Sequence, residues 1–219
     1  MPLAPVLRRL ALILMLAGPA PAAAGGPGFD HYLLALTWMP SFCEIEGDAR
    51  DDARCAPGSG HGWMVHGLWP QHAGGGWPEY CATPHRNPSR RDTAAQADLF
   101  GAAGPAWHQW NKHGRCSGLD PAGYYAQTRA ALAGLRLPDM PPPRAPDAPV
   151  TPERVIAAVV EANPDWRAEM MIATCRRDLI VELRLCLTRD LTPRPCDPAL
   201  RRRACAHEAA RLPPPRRGP

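Results

Sequence analysis

The stretch Trp107-His108-Gln109-Trp110-Asn111-Lys112-His113-Gly114-Arg115-Cys116 (WHQWNKHGRC) brings two imidazoles, an amide and an ammonium close together in the chain. It reads as a short helix closed by Gly114. On such a helix Gln109 lies three and four positions before Lys112 and His113, and His108 lies four before Lys112. Residues at these spacings share a face. The face carries no acid and suits a phosphodiester. A second histidine-bearing segment, Val65-His66-Gly67-Leu68-Trp69-Pro70, reads as the end of a strand. Lys112 is the sole lysine among 25 basic residues, and its compact ammonium differs in kind from the planar fork of arginine.

A metal site is the chemical rival, and the spacings disfavour it. His108 and His113 are five positions apart, about 140° around a helix. His61 and His66 are also five apart, which puts them on opposite faces of a strand. Neither pair fits H-E-x-x-H, and C-x-x-C occurs nowhere. No metal and no other cofactor is expected.

Around these segments, 219 residues with 45% hydrophobic content and 7 Trp supply the core of one domain and exclude disorder throughout. The 28 Pro and 19 Gly forecast a loop-rich but packed fold. Arg8 and Arg9, the apolar run 10–17 and Ala22-Ala23-Ala24 read as a signal peptide over 1–24, cleaved near Ala24. The apolar run is too short to span a bilayer. Losing the two arginines lowers the formal net charge from +4 to +2, too little to coat a polyanion. All 8 Cys follow this segment, and an even number in an exported chain implies four disulfides, although 105 pairings remain open. The expected product is a periplasmic or secreted monomer without a membrane anchor, with one domain over 25–211 and a disordered Pro/Arg tail over 212–219.

Apolar runs at 31–39 and 62–67 read as strands. Asp120-Pro121 opens a helix running through Arg136, and Thr151-Pro152 opens another that ends near Asn163-Pro164. Strands are expected at 168–175 and 178–187. In the latter, Leu179, Val181, Leu183 and Leu185 alternate with Asp178, Glu182 and Arg184, which predicts one buried and one wet face. The Pro-rich segment 138–149 reads as a stiff surface connection. The irregular order of strands and helices predicts an α+β domain, a central mostly antiparallel sheet with packed helices.

At HGLWP (66–70) and WHQWNKHGRC (107–116) the sequence resembles the ribonuclease T2 family of secreted acid endoribonucleases. The first stretch matches that family's first active-site segment, and the second is similar to its pattern HEWxKHGTC. LALTWMPSFC at 34–43 is similar to its opening strand and first cysteine. The resemblance spans about Tyr32 to Cys205. It implies an endonuclease that cleaves single-stranded RNA through a 2′,3′-cyclic phosphate. His66 and His113 would form the acid–base pair, Lys112 would stabilise the phosphorane, and His108 would hold the phosphate. The assignment taken is His113 as base and His66 as acid, with the reverse open. RNA is the partner, and DNA is not cleaved because it lacks the 2′-hydroxyl nucleophile. Base contacts would fall to Trp69, Gln71 and Trp77, with Tyr80 a further aromatic. The implied disulfides are Cys43–Cys55, Cys81–Cys116, Cys175–Cys205 and Cys186–Cys196.

Gln109 stands where the family usually has glutamate. An amide donates a hydrogen bond but carries no negative charge. The expectation is weakened catalysis with a pH–rate profile displaced to the acid side. The alternative is a catalytically weak relative that binds RNA. Gln71 stands where relatives often have aspartate, which bears on base preference.

Overall fold

His31–Trp38 (β1) is apolar on both faces, and it occupies the interior of a sheet where both faces are covered. It pairs antiparallel with Trp63–Gln71 (β2) on one side and Leu179–Leu187 (β4) on the other. Met171–Arg176 (β3) completes the order β2-β1-β4-β3. This computed structural model describes residues 28–138, 140, 150–207 and 210–218. The expected signal segment and most of the 138–149 connection lie outside the described residues.

Three helices matter for the site: Ala103–Lys112 (α1), Pro121–Ala133 (α2) and Pro152–Ala162 (α3). The Asp120 carboxylate caps α2 by accepting from the Gly123 amide at 2.7 Å, and Thr151 caps α3 through Arg154. Each cap satisfies an amide that the first turn leaves unpaired. Trp110 of α1, Tyr124 of α2 and Val159 of α3 are wholly buried against Leu34, Leu36 and Leu183. One sheet face thus makes the main core, as expected of an α+β domain. Four disulfides, Cys43–Cys55, Cys81–Cys116, Cys175–Cys205 and Cys186–Cys196, staple the loops.

The structure departs from the sequence reading in several places. β2 runs through Gln71, so His66 lies in mid-strand and not at a strand end. Ala35 pairs with Gly67 and Leu36 with Val65, which leaves His66 as an extra residue in a β-bulge. The bulge lets Val65 and Leu68, three apart, both face the core. Residues 168–170 form a 3-10 turn, so β3 starts at Met171. α2 stops at Ala133, and α1 stops at Lys112, with His113 as its C-cap.

The polar face of β4 is not wet: Glu182 is 8% exposed. Glu182 and Arg184 do share a face, but its exposure is wrong, because β4 is an interior strand whose second face is covered by side chains from β2. The expected alternation also breaks at Val181, which a register shift against β3 leaves as an extra residue on the cavity side with Glu182, while Ile180 takes the core position. Residues 212–218, expected to be a disordered tail, instead pack along the domain. The Trp38 indole donates to the Pro213 carbonyl at 2.8 Å, Arg216 pairs with Asp48 at 2.6 Å, and Leu212 is buried. Proline-rich chain is already extended and gives up little entropy in such a strap.

Candidate active site

The second sheet face carries the site. Its rows run Trp69–Leu33–Cys186, then Gly67–Ala35–Arg184, then Met64–Thr37–Glu182. Gly67 and Ala35 make the middle row shallow, and larger side chains from either side reach across it. His66, displaced by the bulge, meets Glu182 from two strands away. Its Nδ1 lies 2.5 Å from Glu182 Oε1. The other carboxylate oxygen accepts from Arg184 Nε and NH2 at 2.8 and 2.6 Å. Burial pushes the Glu182 carboxyl up, but the His66 hydrogen bond and the charges of His66 and Arg184 outweigh it and bring the group down to about 2.

The helix side closes on Trp69. Gln109, buried on α1, accepts from Trp69 Nε1 at 2.8 Å, which fixes its amide with Oε1 toward the indole. Trp69 stacks on His113 with centroids 5.2 Å apart at 29°, and meets His66 edge-on at 5.0 Å. Arg184 sits 5.5 Å over the same indole. Trp69 therefore joins the strand-borne and helix-borne halves of the site. Much of its ring is already engaged by protein groups.

His113 is 5% exposed. Burial, then the charges of Lys112, His66 and His108, push its imidazole down to about 3. His108 is also lowered, first by burial and then by Lys112 and His66. His113 is thus a neutral imidazole across the ordinary pH range. The disulfide Cys81–Cys116 ties the turn after His113 to the loop that carries Trp77 and Tyr80.

His66, His108, Lys112 and His113 line one cavity of about 190 Å³, with Trp69, Gln71 and Trp77 among its walls. Trp77 is 39% exposed and presents a ring to it, under the guanidinium of Arg203 at 5.3 Å. Tyr80 is exposed and lies outside this lining; its backbone amide donates to the Lys112 carbonyl at 2.8 Å. Lys112 Nζ has Glu79 at 3.5 Å as a part-exposed neighbour.

A second cavity of about 480 Å³ adjoins the first and shares His66, His108 and Gln109 with it. Its outer part holds Arg54, bonded to Asp52, and Arg176, 3.6 Å from Glu46. Sequence reasoning missed this cavity, together with Glu182 and Arg184. The available signal was an acid and an arginine two apart on a strand whose other residues are apolar.

The arrangement is that of a disulfide-stapled α+β protein with an imidazole-rich cleft on the second face of its sheet. Solved structures of the same fold include an RNase-related protein from Calystegia sepium (TM-score 0.64, 17% identity, covering 84% of this chain and 97% of that one). RNase NT in complex with 5′-AMP is another (TM-score 0.58, 18% identity, 85% and 98%). The sequence model of the Ribonuclease T2 family matches residues 29–139, and the chain belongs to that family.

Among curated relatives, a ribonuclease of Aeromonas hydrophila is 37% identical over 91 residues, 42% of this chain and 39% of the relative. A probable ribonuclease of Haemophilus influenzae is 29% identical over 121 residues, 50% and 44% respectively. The chain spans less than half the length of these two relatives.

Proposed function

We propose that the protein is an endoribonuclease that cleaves single-stranded RNA by attack of the ribose 2′-hydroxyl on the adjacent phosphorus, without a metal. The observation that carries this reading is the convergence of His66, from a strand bulge, with His108, Lys112 and His113, from a helix end, on one cavity. His113, neutral and buried, takes the 2′-OH proton as the 2′-O–P bond forms. The P–O5′ bond breaks, its electron pair leaves with O5′, and His66 supplies the proton that neutralises it. Products are a 2′,3′-cyclic phosphate and a free 5′-hydroxyl.

Lys112 offsets the charge that builds on the phosphorane, and His108 and the Gln109 amide hold non-bridging oxygens. Trp69, Gln71 and Trp77 form the base-contacting wall, with the part-exposed face of Trp77 open for stacking. RNase NT with 5′-AMP and a mutant of RNase MC1 with 5′-UMP, proteins of this fold, support a nucleotide ligand. Four disulfides suit an oxidising compartment, so export, periplasmic or beyond, is part of the reading. The protein is read as a monomer in which 1–24 is the cleaved signal.

Purified protein incubated with RNA in EDTA is expected to leave 2′,3′-cyclic phosphate ends. Loss of product in EDTA would refute metal independence. A second reading, an RNA-binding relative with little turnover, is favoured by Gln109, and RNA retained without products would establish it.

Gln109→Glu should move the acid limb of kcat/KM to higher pH. A carboxylate favours the imidazolium form of a neighbouring histidine, so His113 would stay protonated, and unable to act as base, further up the pH scale. Trp69 Nε1 can donate to a carboxylate as it does to the amide, which preserves the local packing. Superimposable pH–rate profiles for the two proteins would refute the electrostatic role given to position 109.

A further inference from the structure

We propose that Glu182 is a positioning residue for His66. It accepts a hydrogen bond from the Nδ1–H and so holds the imidazole with Nε2 toward the leaving O5′ and in its proton-carrying form. This rests on the reading of His66 as the general acid.

The geometry leaves the carboxylate little freedom. Glu182 is buried on an interior strand, with Oε1 on His66 and Oε2 on the Arg184 fork. His66, by contrast, has 43% of its side chain exposed. A half-open imidazole on a strand bulge can turn about its side-chain torsions, and a fixed acceptor at Nδ1 selects one orientation and one tautomer.

The surrounding charge explains why an acid is needed there. Around the smaller cavity, His66 faces His108, Lys112 and His113 from the helix segment, Arg184 from β4 and Arg203 from near the C-terminus. All of these oppose its proton when charged. Around the larger cavity Arg54 is matched by Asp52, and Arg176 and Arg50 by Glu46. Among the described residues, Glu182 is the carboxylate bonded to His66 itself. The helix offers an amide at position 109, so this active-site carboxylate comes from β4.

In the transfer step the His66 Nε2–H proton passes to O5′, and the imidazole is left neutral with Nδ1–H still on Glu182. The carboxylate neither gains nor loses a proton. Its effect is confined to the step that needs the acid, and a leaving group that needs no proton should not feel its loss.

The test compares wild type, Glu182→Gln and His66→Ala on single-stranded RNA and on uridine 3′-(4-nitrophenyl phosphate), whose nitrophenolate departs without protonation. Glu182→Gln is expected to lower kcat on RNA by about 10–100-fold and to leave the nitrophenyl substrate within a few-fold of wild type. It should also move the alkaline limb of the RNA profile to lower pH, with the His66 titration followed by NMR moving in step. Glutamine keeps the size of the side chain, and circular dichroism confirms the fold.

If Glu182→Gln loses both substrates equally, or leaves the limb in place, while His66→Ala still turns over the activated substrate, the positioning role is overturned and the acid role stands. If His66→Ala loses both substrates equally, the acid assignment falls and the proposal falls with it.

Discussion

His113→Ala is expected to lower kcat/KM on single-stranded RNA by about 10²–10⁴-fold, and His66→Ala by a similar factor, the range for losing one positioned acid or base. The two losses should differ in character. His66 has 43% of its side chain exposed and borders both cavities, so free imidazole can enter its place. His113 is 5% exposed beneath the Trp69 ring, and a small molecule has little access there. Added imidazole should therefore restore part of the His66→Ala rate and little of the His113→Ala rate. Initial rates over a pH series, with and without imidazole, check both points, and cyclic-phosphate end analysis confirms that the rescued reaction is the same one. Wild-type rates in either variant would exclude a two-histidine mechanism.

Protonation separates the pair further. In the proposed mechanism His113, pushed down to about 3, stays unprotonated at any pH above that value, so the acid side of the profile should extend low. Stability follows a related rule. A histidine whose folded pKa lies below its unfolded value loses stabilisation as pH falls from the unfolded pKa toward the folded one. Glu182, held near 2, loses its contribution as pH falls through that value from the ordinary glutamate range. Both changes oppose the folded state in acid. The low-pH limit of the proposed activity is therefore expected to reflect unfolding as well as the base, and the four disulfides oppose that unfolding.

Much of this site was legible in the sequence, for a physical reason. Helix spacing is local, so the grouping of His108, Gln109 and Lys112 could be read from their separations alone. The strand partners could not. His66 reaches Glu182 across β1, and nothing near either residue encodes strand order or the one-residue bulge that turns the imidazole. Alternation correctly put Glu182 and Arg184 on one face but said nothing of what covers it. Gly114 shows the same limit. It read as a helix stop, yet its φ lies outside the left-handed region. A Cβ there would come 2.6 Å from Trp110 and 2.9 Å from Tyr124, so close packing requires the glycine. The tail misled because proline and arginine content reports a lack of helix, and lack of helix is compatible with an ordered strap.

Gly67 carries the other large expected effect. Its φ is also outside the left-handed region, so the backbone itself would accept alanine. The added methyl, however, would collide with Gln109 Oε1 and Trp69 Nε1, two atoms bonded to each other at 2.8 Å. Gln109 sits on a buried face of α1 beside Trp110, and the Trp69 ring is stacked on His113 and in contact with Arg184, so moving either side chain toward the adjoining cavity disrupts those contacts. The strain must part the bond that joins the two halves of the site. Overpacking of this kind costs about 1–3 kcal/mol, and each kcal/mol lowers Tm by roughly 2–4 °C in a chain of this size. The activity should fall further than the stability. A displacement near 1 Å between reacting groups costs on the order of 10²-fold in rate, and Trp69 is in contact with both histidines. Gly104→Ala, with nothing within 4 Å of its new methyl, is the thermal control and should hold or raise Tm. Gly67→Ala is thus expected to lose rate well beyond what its Tm accounts for. Unchanged kcat with a lowered Tm would mean that the Trp69–Gln109 bond supports the fold alone and that the two histidines are aligned independently of it.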